Sequence, residues 1–221
     1  EMIIALSINY YNILSWISLK DKIPVIEDAA QSIGSKFRGK PSGSHGTIGC
    51  FSAHPLKNLN AIGDAGYLTT SSKQIYEKVI ELRNHGMVDR NIVKNFGFVS
   101  RMDSINAAIL NYRLKNLRNI IKIRRKNSKL YKKYLDKKNV FIPRDKNSEF
   151  NTYHTFVVQV KKRDKLKKFL KSKNINTAIH YPIPIHLQPA AKYLGYKKGN
   201  FKNTESQAKS ILTLPINQFL K

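Results

Sequence analysis

The chain has 221 residues, with 40 Lys and Arg against 14 Asp and Glu, a formal net charge of +26. This length allows one large domain or two small ones, and a hydrophobic fraction of 41% supplies a core. One cysteine, Cys50, excludes an intrachain disulfide and requires no oxidising compartment. The cationic excess recurs in every segment without a nucleic-acid motif, so it reads as a compositional bias that favours phosphate-bearing ligands. A basic nucleic-acid-binding protein is the alternative from another class.

Met2 to Leu19 carries no charged residue. Its serines and asparagines make it too polar for a membrane span. Ile3, Leu6, Tyr10, Ile13 and Ile17 fall at helical spacing, which predicts a largely buried helix. The stretch shows no basic n-region or small-residue cleavage site, so a cytoplasmic protein without membrane contact is expected. Strands are predicted at 24–28, 49–53 and 66–70, and short apolar runs alternating with helices indicate an α/β sheet. Ser71 and Ser72 precede a helix with Ile75, Val79 and Leu82 on one face and Gly86 as its stop. Residues 84–101 read as a long polar loop. Asp103 caps a helix carrying Ile105, Ile109 and Tyr112.

Residues 117–138 read as one long basic helix, its apolar stripe broken near Arg124 to Lys129. A boundary here gives two domains, 1–118 and 119–221. In the second, a strand is predicted over 153–160, a helix around Leu166, Phe169 and Leu170, and a strand over 176–180. A proline-stiffened loop, HYPIPIHLQP, follows. Thr204 and Gln207 form a capping box for the last helix, and 211–216 ends as a strand.

The chemistry concentrates between Val25 and Gly66. Asp28 ends one short apolar run, and Lys57 follows another, Gly49-Cys50-Phe51-Ser52. A carboxylate and an amine at the ends of neighbouring strands suit a cofactor with a basic ring nitrogen and an aldehyde, which is pyridoxal phosphate. Each residue also has an ordinary reading: Asp28 as an N-cap for Ala29-Ala30-Gln31, Lys57 as one surface lysine among many, His54 and His180 as structural histidines. Gly39, Gly43, Gly46, Gly49, Gly63 and Gly66 either cradle phosphate or turn the chain. No metal-ligand spacing, Gly-x-Ser-x-Gly elbow or Walker loop occurs.

The ordered motifs EDAAQ, G-x-I-G-C-F-S-x-H-P-x-K-N-L and G-D-x-G resemble the DegT/DnrJ/EryC1/StrS family of sugar aminotransferases. RNHG at Arg83–Gly86, SRMDSINAAIL at Ser100–Leu110 and HYPIPIHLQPA at His180–Ala190 extend the resemblance from about Pro24 to Pro215. It implies a partial type I pyridoxal-phosphate-dependent transferase fold: part of the large cofactor-binding domain over 1–118, then a linking helix and small C-terminal α/β domain over 119–221. By matched position, Lys57 is the lysine that forms the Schiff base with the cofactor and shuttles a proton. Asp28 pairs with the pyridine nitrogen, Gln31 lies near the phenolic oxygen, and Ser52 binds the phosphate. His180 and Tyr181 match the part of the small domain that approaches the sugar. The implied reaction converts a nucleotide-linked keto-deoxysugar to an amino sugar, with glutamate as donor, in a homodimer. The resemblance is nearest to enzymes acting at the sugar 3-position. A non-catalytic relative of the same fold is a further reading, and the presence of Lys57 counts against it.

The sequence departs from the family pattern in places. Ala65 stands where the family has glycine, which is tolerable only without positive φ. Val99 stands near the position of an asparagine that reaches a partner's phosphate. The phosphate turn and stacking aromatic expected ahead of EDAAQ are not recognisable before Val25, so the 221 residues alone are expected to be truncated, poorly soluble and weak in cofactor binding.

Overall fold

The computed structural model describes residues 3–5, 20 and 22–220. Its strands and α-helices run in the order β1 Ile3–Ala5, β2 Val25–Asp28, β3 Lys36–Phe37, β4 Lys40–Pro41, β5 Ile48–Ser52, β6 Gly66–Thr69, α1 Lys73–Leu82, β7 Met87–Asp89, β8 Ile92–Val93, α2 Ser104–Leu114, α3 Leu117–Tyr134, β9 Val140–Phe141, β10 Glu149–Phe150, β11 Phe156–Val160, α4 Arg163–Ser172, α5 Lys202–Ser210 and β12 Ile211–Leu214. They form two units: Glu1–Ile121 with Lys146–Thr152, and Lys122–Asp145 with Tyr153–Lys221. Among the described residues no helix is long and apolar enough to cross a membrane.

The first unit is built on a sheet of order β1-β2-β5-β6, parallel except for β6. β1 corrects the helix predicted from Met2. Its residues pair in register with Val25, Ile26 and Glu27, and a short apolar run takes the strand form when a partner strand is present. The rest of that predicted helix lies outside the described residues. Along β2 and β5, side chains alternate between faces. Val25, Glu27, Gly49 and Phe51 are buried on one face, while Asp28, Cys50 and Ser52 share the other. β10 returns late in the chain to complete a small sheet, β10-β3-β4.

Ser72 caps α1, its side chain accepting the Ile75 N–H at 3.3 Å. Residues 84–101, predicted as a polar loop, instead carry the β7–β8 hairpin, with Val88, Ile92, Val93, Phe96, Phe98 and Val99 exposed. Gly86 has φ +72°, and a Cβ there would strike the Asn95 backbone, so the hairpin base requires glycine.

The helix after Asp103 buries a different stripe from the predicted one. Asp103 holds the N-cap position without a side-chain hydrogen bond. Ile105 and Tyr112 are exposed, and the buried face runs through Asn106 and Leu110. Leu110 joins Ala53, Leu59, Ala61, Leu117 and Ile121 in the core of this unit.

The apparent break in the stripe of α3 is filled by buried polar residues. Leu117, Ile121, Arg124, Ser128, Tyr131 and Leu135 follow a 4-3-4-3-4 spacing, and Arg124 and Ser128 are only 6% and 1% exposed. The Arg124 guanidinium donates to the carbonyls of Tyr153 at 3.1 Å, His154 at 3.3 Å and Ile216 at 2.5 Å. Burial lowers its pKa; the carbonyls replace the water lost by Nη1, while Nε is buried without a partner.

The second unit packs on an antiparallel sheet, β12-β11-β9, around Phe156, Val158, Leu212, Leu214 and Ile216. Residues 176–180 form one isolated bridge, Ala178 with Thr213, rather than a strand. Short 3-10 helices at Ile185–Leu187 and Pro189–Leu194 follow. The predicted Thr204–Gln207 capping box does not form, because α5 begins at Lys202 and Thr204 lies inside it. Glu205 takes over the start of the helix. Its carboxylate accepts the N–H of Gly199 at 2.7 Å and of Phe201 at 3.4 Å, and lies 3.0 Å from His186 Nε2.

Candidate functional site

Asp28 closes β2, where the carboxyl ends of parallel strands present groups to a ligand. Its Cα registers with that of Cys50. Burial raises the Cys50 thiol pKa, and the negative charge of Asp28 raises it further. Asp28 is not a helix N-cap: the chain turns here, and Oδ1 accepts the Ala30 N–H at 3.0 Å. Gln31 follows in that turn, exposed.

Ser52 closes β5 two residues beyond Cys50, so its hydroxyl shares the face of Asp28. Its Oγ accepts the His54 N–H at 3.3 Å. His54 Nδ1 in turn accepts the Leu56 N–H at 3.2 Å. The ring proton therefore sits on Nε2, which lies 4.0 Å from Asp64 across an exposed surface. Lys57 is half-buried, and its own N–H donates to the His54 carbonyl at 2.9 Å. Asp28, Gln31, Ser52 and Lys57 thus all belong to the first unit, on or just beyond the ends of β2 and β5. His180 and Tyr181 belong to the second unit, where His180 Nδ1 lies 3.0 Å from Thr213 Oγ1 and Tyr181 is exposed.

Glu27, which the sequence reading does not single out, fixes the opposite face. This buried carboxylate accepts the backbone N–H groups of Gly43 at 2.6 Å, His45 at 2.5 Å and Gly46 at 2.6 Å. The N–H groups of Gly43 and Gly46 are therefore engaged by Glu27 rather than offered to a phosphate. Gly43 has φ +81° and packs directly on Gly49 and the Phe51 ring, with no room for a side chain at either glycine. The only sequence signal of this joint is an acidic residue inside the apolar run of β2. Ala65 fits without strain: the described non-glycine residues with positive φ are Lys22, Arg38, His85, Tyr153 and Asn174.

The donor set fits pyridoxal phosphate by its chemistry. A carboxylate suits a protonated ring nitrogen, a primary amine an aldehyde, a hydroxyl a phosphate oxygen and an amide a phenolate. Among the described residues no group of three or more His, Cys, Asp or Glu is placed to hold a metal ion.

Residues 12–221 match the model of the DegT/DnrJ/EryC1/StrS aminotransferase family. A protein of Geobacillus stearothermophilus named pleiotropic regulatory protein is 37% identical over 93% of this chain and 56% of its own length. A dTDP-3-amino-3,4,6-trideoxy-alpha-D-glucose transaminase of Streptomyces venezuelae is 32% identical over 89% of this chain and 52% of its own length. The crystal structure of S. venezuelae DesV in complex with a ketimine intermediate superposes with a TM-score of 0.90 at 31% identity, covering 95% of this chain and 57% of that one. The chain thus spans about half the length of the curated relatives it matches.

Proposed function

The chain belongs to the DegT/DnrJ/EryC1/StrS aminotransferase family, and from that membership we propose that it is part of a pyridoxal-phosphate-dependent aminotransferase. The reaction converts a nucleotide-linked keto-deoxysugar to an amino sugar in the cytoplasm, with glutamate as donor. The observation that carries this reading is the shared face of Asp28 and Ser52 at the ends of adjacent parallel strands, with Lys57 in the turn beyond. The name of the S. venezuelae transaminase supports amination at the sugar 3-position.

Pyridoxal phosphate, when bound, supplies an electron sink and carries the amino group between the two substrates. Asp28 holds the ring nitrogen protonated through its negative charge. Ser52 Oγ would hold a phosphate oxygen, and the Gln31 amide would serve the phenolic oxygen. Lys57 Nζ would hold the aldehyde carbon and would serve as the base for the proton at the donor Cα. His180 and Tyr181 orient the sugar. The exposed hairpin residues Val88, Ile92, Val93, Phe96, Phe98 and Val99 support a homodimer, because an apolar patch of this kind is characteristic of an interface.

Incubation with pyridoxal phosphate, borohydride reduction and peptide mapping tests the reading. In the whole enzyme of which this chain is proposed to be part, label on Lys57 is expected, together with glutamate-dependent amination of a dTDP-linked 3-ketosugar. Label confined to other lysines would refute it. The name of the 37% identical relative favours a second reading, a regulatory protein of the same fold; cofactor capture without amination of any nucleotide ketosugar would be its signature.

A further inference from the structure

Lys57 lies inside a short loop that neighbouring side chains close and hold. The Asn60 Nδ2 donates to the Pro55 carbonyl at 2.7 Å, which joins the two ends of the loop around Lys57. Asn60 is itself held from α2: Arg113 Nη1 donates to its backbone carbonyl at 3.1 Å and to its side-chain Oδ1 at 2.5 Å. Two turns back on the same helix, the buried Asn106 accepts the Ile62 N–H at 3.2 Å. Leu110 lies between them in the core. The spacing i, i+4, i+7 puts Asn106, Leu110 and Arg113 on one helix face. Behind Lys57, the buried Asn58 donates to the Thr152 carbonyl at 3.1 Å.

The motifs that carry the family resemblance assign nothing to Asn60 or Arg113. We propose that Asn60 and Arg113 are positioning residues that fix the direction in which Lys57 presents its amine. The inference rests on the reading of Lys57 as the cofactor-bearing lysine. A lysine side chain has four rotatable bonds, so its reactive end is placed only as well as its backbone. Arg113 Nη1 holds Asn60 by its backbone and by its side chain at once, and two hydrogen bonds to one residue restrain the loop more tightly than one does. Misplacement of about 1 Å from a near-attack geometry costs on the order of 100-fold in rate.

The test is covalent capture of pyridoxal phosphate by the whole enzyme of which this chain is proposed to be part. Lys57 Nζ adds to the aldehyde carbon and water leaves; borohydride then delivers hydride to the resulting C=N bond, leaving a secondary amine that peptide mapping locates. Asn60→Ala, Asn60→Asp and Arg113→Ala are each expected to slow capture at Lys57 by about 10-fold or more, a fraction of the 100-fold scale above. The double variant is expected to be no slower than the slower single, because the two residues form one chain of contacts. Asn60→Asp keeps an acceptor for Arg113 but cannot donate to Pro55, so it remains informative if an alanine variant fails to fold. Amide hydrogen exchange over 53–62 is expected to rise in all three while the melting temperature changes little. Capture at the parental rate in a folded Asn60→Asp or Arg113→Ala protein would overturn the proposal. Failure of the lysine assignment would appear separately, as label outside Lys57 in the parent protein.

Discussion

Asp28 and Cys50 stand opposite one another across β2 and β5, on one face, close enough for the carboxylate to raise the thiol pKa. Asp28→Asn is therefore expected to lower the Cys50 pKa, since the charge is lost while burial remains. The pH profile of iodoacetamide alkylation should shift to lower pH. Under the proposed function the same substitution reduces turnover far more than cofactor affinity, because the charge acts mainly in the carbanionic transition state. An unshifted profile and parental turnover would leave Asp28 as a turn residue only.

Glu27 accepts three backbone N–H groups in a buried setting. Glu27→Ala leaves those donors unpaired, and hydrogen bonds to a charged group contribute about 1.5–3 kcal/mol each. A loss of about 3 kcal/mol or more is expected in urea unfolding. A loss below about 1 kcal/mol would mean that water replaces the carboxylate without penalty.

Arg124→Met keeps much of the side-chain length but removes the donors to the Tyr153, His154 and Ile216 carbonyls. Orphaned buried acceptors cost about 1–3 kcal/mol each, so a loss of about 3 kcal/mol is expected. The neighbouring exposed residue Lys126 provides the comparison: Lys126→Met should change stability by less than about 0.5 kcal/mol.

Backbone N–H bonding from Gly199, followed by bonding from His186 and Phe201, holds the Glu205 carboxyl below its usual pKa. A lowered folded-state pKa gives stability that is present above the unfolded value and lost as pH falls through the folded one. The 196–205 segment should therefore open below about pH 4.5, the ordinary glutamate range. Glu205→Gln should flatten this acid limb in hydrogen exchange. An unchanged limb would assign the transition to another group.

Phe96 is fully exposed at the hairpin. In the proposed dimer, Phe96→Asp places a charge in the interface and should shift light scattering toward the monomer. A dimer unaffected by this change would have to use another surface.

What the sequence reveals is local. Strands β2, β5 and β6 are legible because each is a short apolar run bounded by turn residues, and Ser72 is legible as a cap. The contacts that hold the site are not local. Glu27 reaches Gly43 across 16 positions, and Arg113 reaches Asn60 across 53. Arg124 reads as a break in an apolar stripe because hydrophobicity cannot show that three carbonyls await it. The stripe of α2 is misread for the same reason: Asn106 is polar, yet buried by the loop it serves. Ile3–Ala5 shows the limit of periodicity, since a partner strand rather than residue spacing decides its conformation.

The Glu27 joint also bears on how the protein responds to ionic strength. With 40 cationic side chains against 14 anionic ones, much of the surface repels itself, and added salt screens that repulsion over a Debye length of about 8 Å at 0.15 M. Glu27 is held by peptide dipoles rather than by a lysine, in a buried setting that mobile ions do not reach. Raising the salt concentration therefore relieves the surface without loosening this joint, and the melting temperature should climb with added sodium chloride.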